Sequence, residues 1–257
     1  MDIAGMINKP LSWAGLKLTR LSAVQKLQEI QPAVQSDILR NSGFMDIYQQ
    51  VKPYTLVSIE RAYALYQSVA YILKNRIPGD FVECGVWRGG SCMQLALQLI
   101  QSGARDRTIW MYDTFKGMTK PGPEDGEAEK REWAAREITP GHSDWCLSGL
   151  DEVRKNMFAT GYPAGQIRFV EGPVEDTIPG NCPASIALLR LDTDWYASTL
   201  HELRQLYPLL QTGGVLLIDD YGAWEGAQKA TDEYFGQQDN IYLHRIDYTG
   251  RLLIKSK

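Results

Sequence analysis

Two short runs, Leu188-Leu-Arg-Leu-Asp-Thr-Asp-Trp195 and Gly213-Gly-Val-Leu-Leu-Ile-Asp-Asp220, are apolar almost without interruption and end in paired acids. A strand that is apolar on both faces has to be covered on both faces, which is the situation of a parallel sheet inside an α/β domain. Such open sheets bind ligands beyond the carboxyl ends of their strands. Asp192, Asp194, Asp219 and Asp220 are therefore expected at one edge of one sheet. Like charges gathered there repel, and a raised pKa or a divalent cation held by oxygen donors relieves the repulsion. A Mg²⁺-type site in an enzyme is the expectation from these residues alone; the alternative is that Asp219-Asp220 only starts a loop before Tyr221-Gly222.

The rest of the chain supports an α/β reading. Over residues 58–76 the apolar residues Ile59, Ala62, Leu65, Val69 and Ile72 recur at helical spacing, and Ile77-Pro-Gly79 stops the helix. Strand and helix then alternate: a strand over 80–84, a helix from about 91 to 101, and a strand over 107–113. After an insertion come a helix over 149–160, a strand over 166–171, and strands over 184–192 and 214–219 with a helix over 199–210 between them. That makes five strands of parallel type. The tail, residues 241–255, holds two β-rich runs joined through Thr249-Gly250 and reads as an antiparallel hairpin. Residues 1–53 are expected to form a helical N-terminal cap and 54–257 the main domain. The insertion, 119–148, carries Pro121-Gly-Pro-Glu-Asp-Gly126 and a charged run, and is either a lid or a solvated helix face.

Composition excludes several classes. The formal net charge is −4 and the basic residues are dispersed, so a nucleic-acid partner is not expected. Cys84, Cys92, Cys146 and Cys182 form no Cys-x-x-Cys pair and have no histidines at zinc spacing, which suits thiols in a reducing compartment. No secretion signal opens the sequence and no apolar run approaches the ~18 residues of a membrane span, so a cytoplasmic protein is expected.

Glu83-Cys-Gly-Val-Trp-Arg-Gly-Gly-Ser91 lies where a strand turns into a helix. Gly85, Gly89 and Gly90 would let backbone approach a ligand, or would only make a tight turn. The spacing departs from the Gly-x-Gly-x-x-Gly dinucleotide pattern, which weighs against an NAD-binding oxidoreductase. Asp113, at the tip of the next strand, would bind ribose hydroxyls or cap the turn Thr114-Phe-Lys-Gly117. Together the turn and the acid point to a nucleoside-bearing cofactor. Asp192, Asp219 and Asp220 are the expected metal ligands, because oxygen donors without Cys or His favour Mg²⁺, Ca²⁺ or Mn²⁺ over zinc. Asp194 is a further ligand, a base, or a helix cap. His142 is a candidate contact to substrate or an exposed loop residue, and His201 reads as a surface residue.

These motifs resemble the macrocin O-methyltransferase family. The resembling stretches are Phe81-Val-Glu-Cys-Gly-Val-Trp-Arg-Gly-Gly-Ser91, Tyr112-Asp-Thr-Phe-Lys-Gly-Met118, Val174-Glu-Asp-Thr-Ile-Pro179, Leu189-Arg-Leu-Asp-Thr-Asp-Trp-Tyr-Ala-Ser-Thr199, Leu206-Tyr-Pro-Leu-Leu-Gln-Thr-Gly-Gly214 and Ile218-Asp-Asp-Tyr221. The resemblance covers roughly residues 55–255 and implies a Rossmann-like class I methyltransferase fold with a mostly parallel seven-stranded sheet. It implies S-adenosylmethionine and Mg²⁺ as cofactors and a sugar-containing or phenolic small molecule as acceptor. Glu83, Gly85, Trp87, Arg88, Gly89 and Ser91 would surround the methionine part of the cofactor, Asp113 the ribose, and the loop from Gly172 to Asp176, with Gly172 and Val174, the adenine. Asp192, Asp219 and Asp220 would hold the metal, and Asp194 would take the acceptor's proton. The chain departs from the family at Thr193 and Ala197, where Gly and Glu are usual, and at Gly172-Pro-Val174, where Gly-Trp-Phe is usual; these changes touch the cofactor and acceptor pockets. The alternatives are a catechol-type enzyme and a non-catalytic glycan-related protein on the same fold. A homodimer is expected from the apolar patches before residue 54.

Overall fold

The computed structural model of the chain describes residues 36–236 and 241–256, so most of the cap expected over residues 1–53 lies outside the described residues. The chain divides into two units, Met1–Ser42 and Gly43–Lys257. Of the first, the described residues form a short helix, α1 (Ser36–Arg40). Helix α2 (Ser42–Val51) leads into the second, and its Ile47 and Val51 belong to the hydrophobic core of that unit.

Helix α3 (Ile59–Lys74) begins where Ser58 caps it, the hydroxyl accepting the Arg61 N–H at 3.1 Å. Its buried residues Ala62, Leu65, Val69 and Ile72 make one apolar stripe. The stop expected at Ile77-Pro-Gly79 is present, and Gly79, at φ 114°, turns where a Cβ would lie 2.7 Å from the Ile186 carbonyl carbon.

The remaining elements are β1 (Asp80–Cys84), α4 (Gly90–Gln101), β2 (Ile109–Asp113), α5 (Glu127–Ala135), β3 (Glu137–Thr139), β4 (His142–Ser143), α6 (Leu150–Ala159), β5 (Ile167–Glu171), α7 (Val174–Thr177), β6 (Ile186–Leu191), α8 (Tyr196–Leu206), β7 (Leu210–Ile218), α9 (Glu225–Phe235), β8 (His244–Arg245) and β9 (Arg251–Ile254). Seven strands form one sheet in the order β5-β2-β1-β6-β7-β9-β8. The first five in that order run parallel, and β9 pairs antiparallel with both β7 and β8. The chain leaves β1 towards β2 and β5, then crosses back to β6 and β7, so the order reverses between β1 and β6. That switch point is where an open α/β sheet leaves a crevice.

Alternate residues feed two cores. Phe81, Leu188, Val215 and Leu217 pack on one face with Leu95 and Leu99 of α4, while Val82, Leu189, Leu191, Leu216 and Ile218 pack on the other with Leu203 and Leu206 of α8. This double burial explains the uninterrupted apolar runs. Among the described residues, no helix is long and apolar enough to cross a membrane.

Three features differ from the expected pattern. Helix α8 starts earlier than residue 199, at Tyr196, and stops earlier than residue 210, because Pro208 cannot continue a helix and lies within the 3-10 turn Tyr207–Leu209 that follows. Strand β7 begins at Leu210, which pairs with Ile186, rather than at Gly214. The insertion folds into α5 and the small β3-β4 ribbon, which its charged composition had masked. Replacing Leu95, fully buried on α4, by Ala is expected to cost about 2–5 kcal/mol of stability, read as a lower urea midpoint at unchanged slope.

Candidate active site

The glycine-rich turn after β1 is shaped first by its own protein neighbours. Gly85, at φ 79°, lies so close to β6 that a Cβ would fall 1.8 Å from the Asp192 carbonyl oxygen, and a Cβ on Gly90 would meet the Tyr54 carbonyl at 2.4 Å. Trp87 holds φ 46° without being glycine, a conformation that persists only where surrounding contacts impose it. Asp113 supplies those contacts. Its Oδ2 accepts the Val86 and Trp87 N–H groups at 2.8 and 3.1 Å, and its Oδ1 accepts the Phe115 N–H at 2.7 Å. The acid therefore clamps the β1 turn and caps its own turn together. Burial raises its pKa although these N–H groups oppose the rise.

The turn, the tip of β2, the loop after β5 and the ends of β6 and β7 enclose one cavity of about 300 Å³. Glu83, Gly85, Trp87, Ser91, Asp113, Gly172, Val174, Asp192, Asp194, Asp219 and Asp220 all line it. Arg88 and Gly89 do not. Arg88 turns outward, pairing with Glu152 at 2.8 Å and donating to the Pro53 carbonyl at 3.0 Å. Gly89 instead starts α4 at φ 84°. His142 is exposed on β4, away from the cavity, and the His201 ring meets the Ile178 carbonyl at 3.0 Å.

The acids divide into two sets. Arg190, buried on β6, donates from Nη1 to Glu83 Oε1 at 2.6 Å and to Asp192 Oδ2 at 2.7 Å, and from Nη2 to Asp219 Oδ1 at 2.6 Å. Arg61 of α3 pairs with the other oxygen of Asp219 and with Asp247. Burial alone would lower the pKa of Arg190, but Asp192, Asp219 and Glu83 keep it firmly protonated. Burial pushes Glu83 up to about 7 and Asp219 to about 6, with Arg190 holding both down. The second set is Asp192, Asp194 and Asp220, which can each offer an oxygen within 4.8 Å of the others. Among the described residues, no salt bridge reaches Asp194 or Asp220. Both are raised well above the usual carboxylate range, by burial first and by neighbouring acids next. Asp194 also holds φ 65°, and its N–H donates to Asp220 Oδ2 at 3.2 Å.

The structure thus brings Asp192 and Asp220 together as expected, sets Asp194 rather than Asp219 beside them, and places Asp219 against two guanidinium groups. A hard cation suits these strand-end acids, because Asp194 and Asp220 crowd Asp192 with no salt bridge of their own among the described residues and need positive charge nearby to ionise. Thr193, between two of these acids, donates to Glu202 Oε2 at 3.2 Å beneath the loop.

Several residues in and behind the site were not anticipated from the sequence. Arg190 had a signal, since a lone charge in a buried strand must find a partner. Arg61 had none, being one basic residue on an ordinary amphipathic helix. Trp145, Trp195 and Trp224 come from three separate segments and meet only in the fold, with ring centroids 5.2 to 6.3 Å apart. Cys146, on the insertion, lines the same cavity, and burial pushes its thiol up to about 11.

A seven-stranded sheet of this order, with its cavity at the switch point, defines a Rossmann-like class I methyltransferase fold. The solved structure of the O-methyltransferase NovP superposes with a TM-score of 0.72 at 32% identity, over 79% of this chain and 83% of that one. The sequence profile of the macrocin O-methyltransferase family matches residues 8–254, and the chain belongs to that family. A Streptomyces olivaceus relative, 8-demethyl-8-(2,3-dimethoxy-α-L-rhamnosyl)-tetracenomycin-C 4'-O-methyltransferase, is 37% identical over 198 residues, 77% of this chain and 74% of its own. Demethyldecarbamoylnovobiocin O-methyltransferase of Streptomyces niveus is 36% identical over 186 residues, 72% of this chain and 69% of its own. The protein is an O-methyltransferase.

Glu83 and Asp219 have folded pKa values, about 7 and about 6, above their ordinary 4.5 and 3.8, so the unfolded chain loses these protons first as pH rises. The stability they contribute is complete below the ordinary values and is lost as pH climbs to about 7. In EDTA the unfolding free energy is expected to fall between pH 5 and 7.5 by on the order of 2 kcal/mol. Urea titrations at stepped pH check this, and Glu83→Gln should flatten the slope.

Proposed function

We propose that this enzyme transfers a methyl group from S-adenosylmethionine to a hydroxyl of a sugar carried by a small molecule, with Mg²⁺ (or Mn²⁺) as a second cofactor. One observation carries the reading: a backbone-clamping acid and a glycine turn share a single cavity with four strand-end aspartates. The tetracenomycin relative's name describes 4'-O-methylation of a rhamnosyl-bearing compound, which supports a sugar over a phenol as acceptor.

S-adenosylmethionine supplies an electrophilic methyl group. Glu83, Gly85, Trp87 and Ser91 would receive its methionine end, Asp113 its ribose, and the Gly172–Val174 loop its adenine; Arg88 and Gly89 would act by shaping the turn from outside. The metal would be held by Asp192, Asp219 and Asp220, where it lowers the pKa of an alcohol. Arg190 and Arg61 do not bar Asp219 from this role, since each carboxylate oxygen has two lone pairs and a guanidinium occupies one. They would instead orient it from behind. Asp194, whose carboxyl group is raised well above its ordinary range, would accept the proton of the acceptor hydroxyl. The insertion over residues 119–148 would close the cavity and exclude water.

Calorimetry with S-adenosylmethionine and S-adenosylhomocysteine, each with Mg²⁺ and with EDTA, tests the cofactor assignment; micromolar binding is expected, and no binding of either would overturn it. Asp220→Asn is expected to lower Mg²⁺-stimulated turnover at least 100-fold, against typical metal contributions of several kcal/mol, while leaving S-adenosylhomocysteine binding intact. Asp194→Asn should keep Mn²⁺ affinity, read by electron paramagnetic resonance, and lose turnover. Loss of Mn²⁺ binding in Asp194→Asn with retention in Asp219→Asn would exchange their roles.

A further inference from the structure

The two helices that follow the strand-end acids start without caps of their own. Helix α8 begins just after Asp194-Trp195 and α9 just after the loop that Asp220 opens, and neither Trp195 nor Trp224, their N-cap residues, makes a side-chain bond to the first turn. An uncapped helix start leaves backbone N–H groups unmet. The insertion supplies what is missing. Asp125, 5% exposed, accepts the Tyr196 N–H through Oδ1 at 2.8 Å and the Gly122 N–H of its own turn through Oδ2 at 2.6 Å.

The same oxygen sits in the joint between both helices. A Cβ on Gly226, in the first turn of α9, would fall 1.9 Å from Asp125 Oδ1 and 2.7 Å from the Tyr196 nitrogen, so only a residue without a Cβ lets the carboxylate and the two helix starts meet. A carboxylate there also lies at the positive ends of both helix dipoles. The acids ahead of the helices are joined as well, since the Asp194 N–H donates to Asp220 Oδ2 at 3.2 Å. At its neck the insertion closes on itself: the Met118 N–H donates to the Trp145 carbonyl and the Ser143 hydroxyl to the Met118 carbonyl, each at 3.0 Å. The segment is thus pinned at two places, its neck and Asp125.

We propose that Asp125 is a positioning residue for the metal site: by closing the joint between α8 and α9 it fixes the loops that aim Asp194 and Asp220 at Asp192. It does not line the cavity and acts through the helix starts. Coupling between two events is reciprocal, so a cation gathered by those acids also steadies the insertion. The inference rests on the metal reading for the ion that is bound, and on the geometry alone for the joint.

Mn²⁺ titrations followed by electron paramagnetic resonance, together with amide hydrogen exchange of the whole protein, test it. Asp125→Ala is expected to weaken Mn²⁺ binding about tenfold, the lower end of what outer-shell partners contribute to metal affinity, at unchanged S-adenosylhomocysteine affinity. Exchange should quicken about fivefold over residues 193–199 and 221–228, the scale of a lost helix cap, and stay unchanged over 81–91. Asp125→Asn, with one acceptor oxygen for two N–H groups, should fall between the unmodified protein and Asp125→Ala; it carries the comparison if Asp125→Ala does not fold. Gly226→Ala, on another segment, should reproduce the effect, and the double variant should be no weaker than Gly226→Ala alone, because both changes open one joint. Mn²⁺ should slow exchange over 119–148 in the unmodified protein, and less so in Asp125→Ala. Unchanged Mn²⁺ affinity in Asp125→Ala, or a lower urea midpoint as its only effect, overturns the proposal. If the unmodified protein binds no Mn²⁺, the metal assignment fails instead, and the exchange rates over 193–199 and 221–228 still decide the joint.

Discussion

The pairing of Arg190 with Glu83, Asp192 and Asp219 is the interaction on which the site depends. Parallel pairing sets Arg190 of β6 opposite Glu83 of β1, and the same guanidinium reaches the acids at the ends of β6 and β7. A charge in so dry a position is costly unless every donor is met, and removing one partner of such a group typically costs about 3–5 kcal/mol. Arg61 extends the network to Asp247, whose carboxylate also receives the Ser58 hydroxyl and the Thr249 and Gly250 N–H groups. Thr249 in turn donates to the Asp219 carbonyl at 2.7 Å. One chain of polar contacts thus ties β1, β6, β7, α3 and the tail hairpin around the switch point, and holds acids at fixed distances where repulsion would spread them.

Backbone strain is gathered at the same place. Trp87, Cys146 and Asp194 all have positive φ without being glycine, and all three line the cavity. Two of them are held from outside: Trp87 by Asp113 through its N–H, and Asp194 by Asp220 through its N–H. Such conformations survive only where neighbours over-determine them, and they aim side chains that a relaxed loop would leave free.

The insertion contributes to the site because it is fastened to it. The Trp195 indole donates to Thr119, the Tyr196 N–H to Asp125 Oδ1 at 2.8 Å, and the Trp133 indole to Met118 at 3.0 Å. The first two bonds join the segment to the start of α8, immediately after Asp194, and the third ties α5 back to the residue before the insertion. Trp145 and Cys146 reach the cavity for that reason, although in sequence they lie far from any strand-end acid.

Much of the architecture was legible in the sequence. The apolar runs around Leu189 and Leu216 demanded a sheet covered on both faces, Ile77-Pro-Gly79 marked the end of α3, and the acids after those runs had to project from one edge. Periodicity and strand-end position depend on neighbours in the chain, so they can be read there. The limits of α8, the two-residue β8 and the α5-ribbon unit could not, because they are set by pairing and by Pro208 rather than by pattern. Neither could the division of labour among the acids. Arg61 meets Asp219 across 158 positions and Arg190 meets Glu83 across 107. The three tryptophans come from three loops. Sequence determined that four carboxylates would share an edge; only the folded chain decided which of them face a guanidinium, which face one another and which stand beside an aromatic wall, because those distances are fixed by packing between segments that carry no local record of each other.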